Sequence, residues 1–308
     1  MNIRTKNTSR RKLGFTLVEL LVSITILSII LFTLAKAIGY VSQLWVNGVG
    51  IVDNYTKARN ILTVMDRDVQ QMVLRPDLAA FVNSNSSSPA AACAFYTNIE
   101  GTGTDGRTVS LVQYLLNPLA GTTSAAQTTF GRVNTGMNYT ASGTTPLLGT
   151  ATTPLPVALT QLPTPSTTNT DTLATGVIRF QWQFVDGGAN MLTPPYTPTG
   201  SAPTVTTPFT YDFTAPSAAS NPRAVVVSVL VLNNSAYQLA TQNPAIMTKL
   251  LSDFPNTLPT TATNQTFSQY WNGILNPATG TLDTSLPVSV RSGLQVFQRY
   301  IPLPVAAP

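Results

Sequence analysis

Hydrophobic residues are arranged in two unequal ways in the first quarter of this chain. Over residues 15–35 they run almost unbroken, with Glu19 as the one charge among them. A run of about 21 such residues is long enough to cross a bilayer as a helix. Beyond it the apolar residues recur at three- and four-residue steps: Val41, Leu44, Trp45, then Val52, Tyr55, Leu62, Met65, Val69, Met72 and Val73. That period predicts an amphipathic helix, with Asp66, Arg67, Asp68, Gln70 and Gln71 on its polar face. Pro76 stops it, and Arg75 before the proline is biased out of the helical region. A single helix over residues 15–75 would be ~90 Å long at 1.5 Å per residue. Gly39, Gly48 and Gly50 weaken it, by about 1 kcal/mol each relative to Ala. The Asn47-Gly48-Val49-Gly50 step is the expected kink or melted point. Over residues 52–75 the apolar stripe predicts a helix packed on a sheet.

The rest of the chain changes period. Segments 92–98 and 107–116 read as strands, with β-branched and aromatic residues at Phe95, Val109, Leu111, Val112 and Tyr114. The Gly- and Asp-rich turn between them, residues 101–106, reads as a hairpin turn. It has neither the Lys-Ser/Thr of a phosphate loop nor a second carboxylate for calcium. In 176–188, Ile178, Phe180, Trp182 and Phe184 alternate with Arg179, Gln181 and Gln183, which predicts a half-buried strand ending at Asp186-Gly187-Gly188. Segment 222–232 is apolar throughout and predicts a strand covered on both faces. Residues 244–254 predict a short helix, packed down by Tyr270, Trp271 and Ile274. A last strand is expected at 293–301, stopped by Pro302 and Pro304. Thr/Pro-rich stretches near 117–175, 189–222 and 233–288 read as insertions; the first is expected to be loose or made of short irregular strands.

Composition narrows the chemistry. Only 9% of the 308 residues are charged, against roughly 25% in an ordinary soluble domain. The pI is 9.4, but Arg4, Lys6, Arg10, Arg11 and Lys12 account for the whole excess of 17 basic over 12 acidic residues. The basic balance thus belongs to residues 1–14, and the neutral remainder argues against a nucleic-acid partner. The chain has no histidine, which removes His-based triads, His general bases and His-metal sites. Cys93 is the one cysteine, so no intrachain disulfide or Cys-cluster zinc site exists; its Ala-rich setting reads as a buried apolar position. No G-x-S-x-G elbow is present. Asp66 and Asp68, two apart on a helix, face different ways and form no dyad. An enzyme is not expected, and neither a cofactor nor a metal.

Three readings compete for the N-terminus. A secretory signal peptide would use the basic start and an Ala35-Lys36-Ala37 site, but the apolar run exceeds the usual 7–15 residues and contains Glu19. A plain membrane anchor fits the length, with the leader cations Arg10, Arg11 and Lys12 on the cytoplasmic side. Neither accounts for a carboxylate in hydrocarbon, which costs about 2.5–3.5 kcal/mol on insertion scales and asks for a partner. The third reading rests on Gly14-Phe15-Thr16-Leu17-Val18-Glu19 after the short basic leader. This resembles the N-terminus of type IV pilins and type II secretion pseudopilins.

The resemblance implies a fold and a life history. The fold would be α+β, a long N-terminal pilin helix packed on an antiparallel β-sheet head with Thr/Pro-rich loop insertions. Its parts would be a cleaved leader (1–14), a transmembrane half-helix (15–35), an amphipathic stalk (36–75) and a periplasmic head (76–308). A prepilin peptidase/methyltransferase would cut between Gly14 and Phe15 and methylate the Phe15 amine. Glu19 would pair with a neighbouring subunit's N-terminus during filament assembly. The implied partners are that peptidase, major and minor pilins or pseudopilins, the inner-membrane assembly platform and the lipid bilayer. The implied location is a single pass through the bacterial inner membrane, N-terminus cytoplasmic and head periplasmic, then the filament.

Shorter pieces resemble minor pseudopilins of the J type. These are the Met65-to-Gln71 segment leading to Arg75-Pro76, the strand ending in Asp186-Gly187-Gly188, Pro222-Arg223-Ala224-Val225, and Val296-Phe297-Gln298-Arg299-Tyr300. The chain is about half again as long as that type, and Ala189-Asn190-Met191 stands where a Trp usually follows the turn. It is similar in this to divergent pseudopilin cassettes of Verrucomicrobia-like genomes. The leading function is therefore a structural subunit acting in pseudopilus assembly or at its tip. The alternative is a minor pilin whose Thr/Asn-rich loops serve as an adhesin or contact cargo or DNA.

Overall fold

One helix, α1 (Leu17–Gln70), carries the first part of the chain. In this computed structural model the described residues are 16–73, 79–82, 91–101, 109–116, 128–136, 168–186, 188, 191–192, 209–210, 222–256, 258–259, 264–276 and 278–304. The chain divides into two units, 1–49 and 50–308. In the first unit the described apolar side chains of α1 are exposed. In the second, Leu62, Met65, Val69 and Met72 of the expected stripe are buried, joined by Ala58 and Ile61, whereas Val52 and Tyr55, expected on the packed face, are exposed. Residues 47–50 are helical, not melted.

The helix ends earlier than Pro76 requires. Past Gln70 the backbone turns to pair with a strand instead. Val73 N–H donates to Tyr96 O at 2.9 Å and Asn98 N–H to Gln71 O at 2.9 Å, while Met72 bridges Thr97. Strand pairing there replaces the last helical turn expected from the sequence. Arg75 and Pro76 lie outside the described residues.

Two antiparallel sheets follow, giving the α+β class. The first has six strands: β1 (Ala79–Val82), β2 (Ala91–Thr97), β3 (Ser110–Leu116), β4 (Thr129–Gly136), β5 (Thr170–Thr175) and, beyond β1, β8 (Phe209–Thr210), in the order β5-β4-β3-β2-β1-β8. The second has β6 (Val177–Asp186), β7 (Met191–Leu192), β9 (Pro222–Leu232) and β10 (Leu294–Pro302), in the order β10-β9-β6-β7. One core joins α1 to both sheets. Ile61, Met65 and Val69 meet Cys93, Phe95, Tyr114 and Phe130 from the first sheet and Phe180, Trp182, Phe184 and Val227 from the second.

Two expectations are corrected. The 117–175 stretch contributes β4 and β5 to the first sheet, and Phe130 and Val133 are fully buried. Their strands were hard to see because small and polar residues surround two apolar anchors. Second, β6 is buried on both faces. The cover over its polar face is four helices, α2 (Asn234–Gln242), α3 (Pro244–Asp253), α4 (Phe267–Leu275) and α5 (Val288–Gly293), which share a second core with Ile178, Leu230 and Leu232. The polar residues of β6 hold this layer. Arg179 donates to Phe254 O (2.6 Å) and Leu251 O (2.5 Å), beyond and within the last turn of α3. Gln181 reaches Asn256 O, and Gln183 bonds both Gln265 O and the Phe267 N–H. Burial pulls the Arg179 guanidinium down to about 10, still charged at neutral pH. The alternation was real, but its polar half faces helix ends and loop carbonyls rather than water. α3 and the burial of Trp271 and Ile274 match expectation, as does β9 between two covered faces.

The link from β5 to β6 needs a glycine. Gly176 has φ +77°, and a Cβ there would lie 2.7 Å from Leu232 O. Of the turn at 101–106, only Gly101 is among the described residues, and the insertion near 189–222 is described only at 191–192, 209–210 and 222.

Candidate functional site

The functional residues expected from the sequence sit at the start of α1. Thr16 opens the helix: its Oγ1 accepts from the Glu19 N–H at 3.3 Å, and its carbonyl accepts from Leu20 N–H at 3.2 Å. A threonine ahead of the first turn satisfies backbone donors that the helix leaves open. Glu19 lies in that first turn with its side chain exposed, where a negative charge also suits the helix dipole. Among the described residues no cation pairs with it. Ser23 and Ser28 donate to Glu19 O and Ile24 O, four residues back, and Thr25 and Thr33 to Val22 O and Ile30 O. Each hydroxyl is thereby satisfied within the helix, which suits an apolar surrounding. Gly14, Phe15, Arg10, Arg11 and Lys12 lie outside the described residues.

From Leu17 to Leu34 large apolar side chains lie on every side of α1 and none is buried, with Glu19 the one charge among them. A helix apolar all round fits a membrane rather than water. Residues 9–35 match the prokaryotic N-terminal methylation motif. The methylation motif thus covers Gly14, Phe15 and Glu19 together with the whole apolar run of residues 15–35. No curated protein matches the chain. The motif and the single N-terminal apolar helix fit membrane anchoring and the type IV pilin-like class.

The sequence reading missed a second constellation, in the head. Asp68 is fully buried, not on the solvent face with Asp66. Its Oδ2 accepts from Tyr114 OH at 2.6 Å and from Arg132 Nε at 2.5 Å; its Oδ1 accepts from Arg67 Nε and Nη2 at 3.1 and 3.0 Å. Burial works against the Arg132 charge, but the Asp68 carboxylate more than compensates, and the guanidinium is held above its ordinary value. Burial and the Asp68 charge both push the Tyr114 hydroxyl well up, so it stays a donor. Asp66 turns the other way to Arg299, at 2.7 Å. The two carboxylates do point apart, as their spacing implied. A signal for Asp68 was present: Ile61, Met65, Asp68 and Met72 follow one another at steps of four, three and four. Its partner Arg132 sits in the 117–175 stretch, expected to be loose or made of short irregular strands.

Cys93 packs in the same core, free and fully buried. Burial is the main cause that pushes its thiol well up, so it stays protonated through neutral and mildly basic pH. Alkylation by iodoacetamide at pH 8 is expected to be blocked in the folded protein and complete in denaturant, as read by intact mass. Rapid labelling of the folded chain would contradict the burial. Among the described residues no three His, Cys, Asp or Glu side chains cluster as a metal site.

Proposed function

We propose that this protein is a pilin-like structural subunit, cut after Gly14 by a prepilin peptidase, methylated at Phe15 and built into a type II secretion or type IV pilus-like filament. The observation that carries this is the methylation motif running without a break into an exposed apolar helix. Exposed large apolar side chains continue from Leu17 to Tyr55, about 58 Å of helix, whereas a bilayer core takes up only ~30 Å. The surplus, including Tyr40, Leu44, Trp45, Val49 and Val52, is suited to neighbouring helices rather than lipid. The N-terminus would be cytoplasmic and the head periplasmic. The inner-membrane assembly platform and other pilins or pseudopilins would be the partners.

Within that class we place the chain as a minor pseudopilin of the J type, acting in assembly or at the tip. The supporting features are the order of β6, β9 and β10, and the Asp186 turn, where Gly188 N–H donates to Asp186 Oδ1 at 2.8 Å. The helical layer of α2 to α5 accounts for part of the extra length.

Cleavage is the direct test. Gly14→Leu is expected to leave the whole precursor uncut in cells holding a prepilin peptidase. The natural chain should give a mature mass beginning at a methylated Phe15. A different mature N-terminus, or normal processing of the variant, would overturn the reading.

A further inference from the structure

Between Thr16 and Val52 the chain carries two charges, Glu19 and Lys36. Glu19 has a role in the proposed function, and Lys36 has none. Lys36 stands directly after the apolar run of residues 15–35. The chain beyond it is apolar again, Ala37-Ile38-Gly39-Tyr40-Val41, before Ser42 and Gln43. Its side chain is exposed. Glu19, the one acid in residues 1–49, lies 17 residues away, ~26 Å of helix, and does not reach it.

Phe32, Lys36 and Tyr40 follow at steps of four and share one exposed stripe of α1. Helical side chains lean toward the N-terminus, so the ammonium sits about a turn below its own Cα. There it lies beside the Phe32 ring, with Nζ 5.6 Å from the ring centroid. A lysine of this kind lays its methylenes on apolar surface and holds its charge at the lipid headgroups, and tyrosine prefers the same level. The length agrees. Residues 15–35 make ~31 Å of helix, against ~30 Å of hydrocarbon. Hydrophobicity alone does not end the span there: with an apolar residue at 36 the run would extend to Val41, ~40 Å of helix.

We infer that Lys36 fixes how deep the N-terminal helix sits, its ammonium pairing with lipid phosphate where α1 leaves the bilayer. The phosphate is the anion that a membrane offers at that level, and drawing the lysine further in would carry its charge into hydrocarbon. Ile38, Tyr40, Val41, Leu44 and Trp45, all exposed, are thereby kept out of the lipid although they are apolar. They stay available to neighbouring helices. The inference rests on α1 crossing a bilayer.

The test uses the full chain, highly diluted in vesicles of phosphatidylethanolamine and phosphatidylglycerol. Single cysteines replace Ile24, Ile29 and Val41 in turn and are reacted with a membrane-impermeant maleimide; Cys93 is buried and stays silent. Cysteines at 24 and 29 should be shielded and the one at 41 open. Lys36→Leu should let the helix sink and slow labelling at 41 at least about tenfold. Lys36→Arg should leave it unchanged, and Lys36→Gln, polar but uncharged, should slow it severalfold. Labelling at 41 that is as fast in Lys36→Leu as with lysine present would overturn the inference. So would a Lys36→Gln variant that holds the helix as lysine does, since polarity without charge would then suffice. A boundary that stays in place while Lys36→Leu loses incorporation into filaments would assign the cation to a neighbouring subunit's carboxylate, again overturning it. Failure of the membrane reading looks different: with lysine present, the cysteine at 24 would label as fast as the one at 41, and both readings would fall.

Discussion

Asp68→Ala is expected to cost the head about 3–5 kcal/mol of stability, a large share of the roughly 5–15 kcal/mol by which an ordinary domain is stable. The carboxylate is fully buried and receives Arg132, Tyr114 and Arg67. Removing it leaves the Arg132 guanidinium, itself almost fully buried, without its main counter-charge; the Asp171 carboxylate is exposed and 3.8 Å from Nη1. Tyr114 OH loses its acceptor as well. Most of the effect is thus the desolvation of what remains, not the strength of the lost pair. Asp68→Asn keeps an acceptor without the charge and should fall between the two. Arg67→Ala should matter little, since that side chain is half exposed at the rim of the cluster. Equilibrium urea unfolding of the three variants gives the ranking. A loss below about 1 kcal/mol for Asp68→Ala would show that the cluster relaxes or admits water.

Glu19→Ala has the largest functional effect expected of any change outside the cleavage site. Under the proposed function the variant should insert and be cut normally, because Gly14 and the apolar run are untouched. Its mature form should nevertheless fail to co-assemble. In an apolar bundle the Glu19 charge and a neighbour's N-terminal amine would neutralise each other, since neither is stable there alone. Glu19→Gln should retain part of the incorporation by hydrogen bonding, Glu19→Ala essentially none. Filament fractions probed for the subunit, with membrane fractions as the control for insertion, give the readout. Normal incorporation of Glu19→Ala would remove the pairing role.

Much of this was legible from order and spacing alone. The apolar run, the lone acid in it and the basic leader are local features, and the methylation motif lies on them. The amphipathic stripe from Leu62 to Met72 follows from helical period, and β9 from an apolar run too long for one face. These needed no partner to be recognised. The Thr-rich strands β4 and β5 and the polar face of β6 were misread for one shared reason. A polar side chain looks the same in sequence whether water or a buried carbonyl accepts its hydrogen bond.

By itself, then, the sequence determined the apolar N-terminal helix, the methylation motif, the helix on a sheet and most of the principal strands, because each is written in neighbouring residues. Only the tertiary structure decided that Asp68 meets an arginine 64 positions away, that Arg179 and the glutamines of β6 hold a helical layer, and that Asp53, Asn54 and Lys57 converge on the end of β9. Those outcomes depend on long-range juxtaposition, where a polar group taken from water must find its partner inside the fold.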